Sequence, residues 1–227
     1  MQEETKIALA YDKVLAKVKE ICLKNKRDFS KVNILVVTKY ATKEQIWQLL
    51  SKREVFAIGQ SQLKDTLEKF LSPELKDFKV KKFFIGHLQT NKAAKVLENF
   101  DLICSLDSLH LAEVLNKQAQ KQNKTALCLL QLKLTNRQTQ GGLNIEEVPA
   151  FIKQVKTLYP GIKLKGLMAI APQGSTEEIR SAFKKAKNIF DCYFTKEDYL
   201  SLGMSSDFEI ALEEGSNLIR IGSAVFD

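Results

Sequence analysis

Asn33-Ile34-Leu35-Val36-Val37-Thr38-Lys39-Tyr40-Ala41-Thr42 is an apolar, β-branched run that passes directly into a helical pattern, with no glycine at the junction. A run apolar at consecutive positions predicts a strand buried on both faces, the environment of a parallel sheet covered by helices. A dinucleotide-binding fold would put a glycine-rich turn immediately after such a first strand. Thr38-Lys39-Tyr40-Ala41-Thr42 stands there instead, and dinucleotide binding is disfavoured.

Outward from this stretch the pattern repeats. Further strands are predicted at 55–59, 82–86, 102–105, 126–132, 164–170, 199–203 and 218–221, the first being 33–38. Amphipathic helical patterns lie between them at 42–51, 62–70, 90–98, 108–122, 145–159, 176–194 and 206–214, and an additional helix is predicted ahead of the first strand, roughly 3–25. Regular alternation of strand and helix predicts an α/β protein with a parallel sheet. Eight strands in 227 residues, near the lower end of the usual barrel length, favour a TIM (β/α)8 barrel over an open doubly wound sheet. Four prolines, ten glycines and no linker-like tract leave no start for a second domain, so one domain over 1–227 is expected.

Composition narrows the function classes. The longest apolar runs, such as 126–130, are too short to span a bilayer. The acidic start Met1-Gln2-Glu3-Glu4 is unlike a signal peptide, and a cytoplasmic protein is expected. Cys22, Cys104, Cys128 and Cys192 stand apart, without the short spacings of metal or redox motifs, and read as reduced core residues. The net charge of +8 raises the question of nucleic acid. The lysines are spread along helices with acids between them, as in Lys13, Lys17, Lys19 and Glu20, which argues for solvated faces and against a phosphate-binding stripe.

In such barrels the chemistry sits at the C-terminal ends of the strands. Lys39 closes the first strand, at the barrel mouth, where partial desolvation would lower its pKa and make the amine nucleophilic. A strand-end lysine viewed alone is more commonly a solvated loop residue. At the other end of the chain, Leu202-Gly203-Met204-Ser205-Ser206 and Arg220-Ile221-Gly222-Ser223 close the last two strands, where barrels often bind phosphate through glycine-containing turns. Ser205 could add a hydroxyl, and Gly222 would let backbone approach closely; tight turns plus an N-cap over 205–207 account for this segment equally well. An amine facing an anion cradle suits pyridoxal 5′-phosphate (PLP), whose aldehyde forms a Schiff base and whose phosphate needs an anchor. Arg220 could supply a third contact by donating to an unprotonated ring nitrogen, which would weaken the electron sink and restrain carbanion chemistry.

Several segments carry a resemblance: Thr38-Lys39, Phe84-Ile85-Gly86-His87-Leu88-Gln89-Thr90-Asn91-Lys92, Ser105-Leu106-Asp107-Ser108, Lys165-Gly166-Leu167-Met168-Ala169-Ile170, Ser201-Leu202-Gly203-Met204-Ser205-Ser206-Asp207 and the run from Gly215 to Phe226. Together, and in this order, the sequence resembles the pyridoxal phosphate homeostasis protein family, of the alanine racemase N-terminal-domain type. The resemblance implies Lys39 as the PLP lysine, Ser205 with the backbone amides of Gly222 and Ser223 at the phosphate, and Arg220 at the ring nitrogen. It implies a monomeric or weakly associating barrel that buffers or delivers PLP, with PLP-dependent apo-enzymes as partners. It also implies no second, β-rich domain of the racemase kind, in keeping with a chain that stops at Asp227.

Departures from the family pattern fall around the mouth: Gly59-Gln60-Ser61 in place of Gly-Glu-Asn, Lys133 and Gln140 in place of an Asn and a Lys, Asn217 in place of Thr, and Asp227 in place of Gly. His87 reads as a structural hydrogen-bonding residue, and His110 is on a helix; the two make no metal site. The Phe83-Phe84 pair reads as core. Two other functions remain open on sequence: a PLP-dependent amino-acid racemase or decarboxylase, and a basic barrel that binds RNA or protein. The custodial reading is preferred because proton removal and return on opposite faces needs two positioned groups, and a single lysine is evident.

Overall fold

A computed structural model describes residues 5–135 and 141–227. Among them the strands β1 (Asn33–Val37), β2 (Ala57–Gln60), β3 (Lys81–Phe84), β4 (Leu102–Leu106), β5 (Ala126–Leu132), β6 (Ile162–Ala169), β7 (Tyr199–Ser201) and β8 (Leu218–Ile221) form one sheet in the order β7-β6-β5-β4-β3-β2-β1-β8. Every pairing in it is parallel. This is the expected (β/α)8 barrel, with strand ends displaced by at most two residues from those read in the sequence. The largest shortening is in β7, where Gly203 takes φ +88 and leaves extended geometry.

Period-2 alternation sorts each strand between two environments. On β8, Ile219 and Ile221 face the helices, in a cluster with Ile34 and Val36 of β1. Leu218 points inward, into a barrel core with Leu35, Ala57, Phe83, Leu102, Cys104, Leu129 and Met168. Leu35 is buried, fully out of contact with water, worth roughly 1.5–3 kcal/mol for a side chain of this size. Phe83 meets Phe56 edge-on at 6.0 Å, with Tyr199 at 6.1 Å from both rings. Phe84 packs outside against Phe100, so both residues of the pair are core.

The helices after each strand are α2 (Lys43–Leu50), α3 (Leu63–Phe70), α4 (Ala93–Asn99), α5 (Leu109–Lys121), α6 (Val148–Leu158), α7 (Thr176–Tyr193) and α8 (Phe208–Glu213). The helix before β1 is α1 (Lys6–Lys24), capped by Thr5, whose hydroxyl accepts from the Ala8 N–H at 3.2 Å. Ile7, Tyr11, Val14, Val18 and Ile21 recur on one face of α1 and are buried against Ile34, Leu212 and Val225. A short α9 (Ser223–Phe226) follows β8, an element the sequence pattern did not announce. Cys22, Cys104 and Cys128 are buried and free, whereas Cys192 is exposed on α7; the expectation of four core cysteines fails there because α7 turns that position to solvent.

The seam between β7 and β8 lacks a regular ladder. Backbone bonds join it at Asn217 N–H to Leu200 O (3.1 Å) and Arg220 N–H to Gly203 O (3.0 Å). Side chains supply the rest. Ser216 Oγ accepts from Leu202 N–H and reaches the carbonyls of Leu200 and Leu202 at 3.0 and 2.8 Å. Asn217 Oδ1 accepts from Leu200 N–H at 2.7 Å. Buried backbone groups that a missing ladder would orphan are thus satisfied.

Candidate functional site

The same alternation that buries Leu218 aims Arg220 into the barrel, in register with Leu35. On β1 it turns Val37 and, past the strand end, Lys39 inward as well. Both line a cavity of about 550 Å³ at the C-terminal ends of the strands, together with Ser61, Met204, Ser205, Arg220, Gly222 and Ser223. The structure therefore brings all five candidate residues, Lys39, Ser205, Arg220, Gly222 and Ser223, to one pocket of ordinary ligand size.

Arg220 is only 5 % exposed. Its Nη1 donates to Ser201 O at 2.8 Å and Ser201 Oγ at 2.9 Å, and its Nη2 to Ala169 O at 2.9 Å. A guanidinium has five N–H donors, so donors remain for a ligand in the cavity. Burial pulls Arg220 below its ordinary value, while the nearby Cys104 and Asp207 push it the other way. Cys104, beneath it in the barrel core, is pushed up to about 12 by burial against the smaller opposing effect of Arg220. It is a neutral thiol.

The cradle comes from two turns. Ser205 Oγ accepts long hydrogen bonds from the backbone N–H groups of Gly222 (3.4 Å) and Ala224 (3.5 Å). Ala224 thus joins the amides read from sequence. At Gly222 a Cβ would lie 3.3 Å from Val37 O, so the loop presses against β1. Asp207 occupies the N-cap position of α8 without capping it; its Oδ1 instead accepts from Met204 N–H at 2.5 Å and tightens the turn that carries Ser205. The turn also depends on Gly203, where a Cβ would come within 2.6 Å of Ala211 Cβ and 2.8 Å of Phe208 Cα at positive φ. Gly203→Ala is expected to destabilise the protein by about 1–3 kcal/mol, read as a lowered urea midpoint with unchanged slope.

Lys39 departs from the sequence expectation in one respect. It is exposed, not desolvated, with Nζ 4.5 Å from the centroid of the Tyr40 ring, itself 88 % exposed. A long flexible stem and a cation–π partner keep the amine at the rim. His87 is exposed too and does not line the cavity. Burial raises the Asp107 carboxyl above its ordinary value, against a smaller opposing effect of the His87 side chain.

The departures scatter. Ser61 lines the cavity. Gln60 is fully buried, its Nε2 donating to Thr38 Oγ1 at 2.8 Å while its Oε1 has no hydrogen-bond partner among the described residues. Lys133 borders a separate recess, and Gln140 lies outside the described residues. Asn217 contributes to the seam, and Asp227 reaches the cavity rim. Sequence reading missed Asp207, Ser201 and Lys69. Lys69, on α3, is buried and donates to the carbonyls of both Thr38 and Lys39. Its pairing with Asp65 four residues earlier looks, on paper, like any exposed helix pair.

Fold and pocket define a class: a parallel eight-stranded barrel with an amine, a guanidinium and an amide-lined cradle converging at its mouth. Residues 13–227 match the family model described as "Alanine racemase, N-terminal domain". The chain belongs to that family and, within it, to the pyridoxal phosphate homeostasis proteins, as the motif resemblance implied. The "Pyridoxal phosphate homeostasis protein" of Aquifex aeolicus is 31% identical over 219 residues, covering 94% of each chain. Among solved structures, PipY of Synechococcus elongatus, determined with PLP bound, is 27% identical with a TM-score of 0.79, over 92% of this chain and 99% of that one. An alanine racemase from Clostridium difficile, 16% identical with a TM-score of 0.70, shares the fold over 93% of this chain and 56% of its own.

Proposed function

We propose that this chain binds pyridoxal 5′-phosphate covalently on Lys39 and acts in PLP homeostasis, buffering or delivering the cofactor without efficient turnover of its own. The observation that carries the reading is the meeting, in one cavity, of an amine, a guanidinium with donors to spare and a set of backbone amides. These residues fit the group: PLP has an aldehyde, a ring nitrogen and a phosphate to be held. When bound, PLP supplies an electron sink for amino-acid chemistry.

In this reading the N–H groups of Gly222, Ser223 and Ala224 and the Ser205 hydroxyl hold the phosphate. The loose Ser205 contacts at 3.4 and 3.5 Å are well suited to exchange for a charged acceptor, which binds amides more strongly than a hydroxyl does. Arg220 orients the ring nitrogen and keeps it unprotonated, since a guanidinium donates and does not accept. The carbanion-stabilising power of the group is thereby held down. Of the other titratable side chains on the lining, Tyr40 and Asp227 sit at the solvent edge, which supports a site with no buried acid–base group among the described residues.

The reading extends to residues 1–227 acting as one domain, to a monomer, and to PLP-dependent apo-enzymes as recipients of the cofactor. Buried free thiols at Cys22, Cys104 and Cys128 suit the reducing cytoplasm, and among the described residues no helix is long and apolar enough to cross a membrane.

The test is a pair of measurements on purified protein. Equilibrium dialysis should show stoichiometric PLP binding, and α-proton exchange of alanine in deuterated water should run no faster than with the same concentration of free PLP. Absence of binding sinks the whole reading. Exchange far above the free-PLP rate sinks the custodial part in favour of a racemase-like enzyme.

A further inference from the structure

We infer that Lys69 is a positioning residue for Lys39: a buried ammonium that clamps the end of β1 from behind and so sets where the Lys39 amine can reach. The inference rests on the proposed role of Lys39. It adds a group that lies outside the cavity lining.

Lys69 is 9 % exposed, a rare state for a lysine. An ammonium has three N–H donors and no acceptor. Here each donor has a target: Thr38 O at 3.2 Å, Lys39 O at 3.3 Å and Asp65 Oδ2 at 2.9 Å. The ion pair with Asp65 holds the charge in place from one side, and the two carbonyls receive it from the other. Thr38 is engaged by further groups. Its N–H donates to Gly59 O at 3.0 Å, its carbonyl accepts from Ala41 N–H at 3.2 Å, and its hydroxyl accepts from Gln60 Nε2.

Lys39 is held differently. Its carbonyl accepts a hydrogen bond from the Lys69 ammonium. Beyond β1 the backbone leaves the sheet, so the ladder no longer fixes the peptide that follows Lys39. Its own side chain is exposed and rests on an exposed ring. The Lys69 clamp therefore ties the backbone of Lys39 to the packed body of the barrel. Misplacing a reacting group by an ångström can cost orders of magnitude in effective concentration, so a clamp on the carbonyl acts on the amine at the far end of the same residue.

A role in positioning differs from a role in general stability, and two ligands separate them. PLP has the aldehyde and reads the reach of Lys39; 4′-deoxypyridoxine 5′-phosphate lacks it and reads only the phosphate cradle and ring contacts. In Lys69→Met, the apparent Kd for PLP, followed by the borohydride-reducible visible band, should rise about tenfold, on the scale of losing hydrogen bonds from a charged donor. The Kd for the deoxy analogue should stay within twofold. Lys69→Arg, which retains donors and charge, should recover most of the loss in PLP affinity. Lys69→Gln, soluble and uncharged, serves if the Met variant does not fold and should show the same selective weakening. Equal weakening of both ligands, or no weakening of either, overturns the inference. Lys39→Ala that keeps the full band would instead overturn the reading on which it rests, a result distinct from either of those.

Discussion

Lys39→Ala is expected to abolish the borohydride-reducible visible band of the PLP-loaded protein while leaving its folding stability within about 0.5 kcal/mol of the parent. The two halves of this outcome come from one fact, the exposure of Lys39. Its Nζ contacts the Tyr40 ring, and Tyr40 is nearly fully solvated, so little packing is lost with the side chain. Among the described residues the amine has no substitute on the lining: Arg220 stays protonated and cannot act as a nucleophile. Lys69 is committed to Thr38, Lys39 and Asp65. PLP should still bind Lys39→Ala weakly through the cradle, detectable by dialysis. A band that persists at full strength after the substitution would remove Lys39 from the site.

Arg220→Met should have the opposite profile, a large loss of stability before any ligand is added. The carbonyls of Ser201 and Ala169 would lose a charged donor, the buried Asp207 would lose a compensating positive charge, and the β7–β8 seam would lose a side-chain tie. Removing one partner from a buried charged network typically costs about 3–5 kcal/mol. Urea unfolding of the PLP-free protein should therefore show a sharply lowered midpoint. Arg220→Lys should rescue little, since a point charge on a flexible stem cannot reproduce a planar fork reaching two strands. A PLP-free Arg220→Met protein as stable as the parent would show that the seam closes without the guanidinium.

Much of this was legible in the sequence because it depends on period. Leu218, Ile219, Arg220 and Ile221 alternate visibly, so an arginine in an apolar strand had to point either into the barrel or into the helix layer, and its place in register with Leu35 sends it inward. Gly203 and Gly222 marked turns at the mouth for similarly local reasons. What stayed hidden depends on distance in the chain. Lys69 reads as the second half of an i, i+4 pair with Asp65; only the folded chain brings α3 close enough to the end of β1 to turn it toward the Thr38 and Lys39 carbonyls. The roles of Ser216 and Asn217 were invisible because they compensate for a missing ladder, and a gap in a sheet has no residue of its own. The exposure of Lys39 was missed for a different reason: strand position sets the direction of a lysine's first carbons, while its long stem lets the ammonium end at the water.

The β7–β8 seam has a consequence for how such a barrel can change. Arg220 is at once the rivet of the shell and the proposed hand on the cofactor's ring. A carboxylate in its place, the exchange that would convert a restrained ring into a reactive one, would meet the carbonyls of Ser201 and Ala169 with repulsion where they now receive donors. A lineage that exchanged this arginine for an acid would first have to close the shell by other means. On the proposed reading, architecture guards that restraint as much as chemistry does.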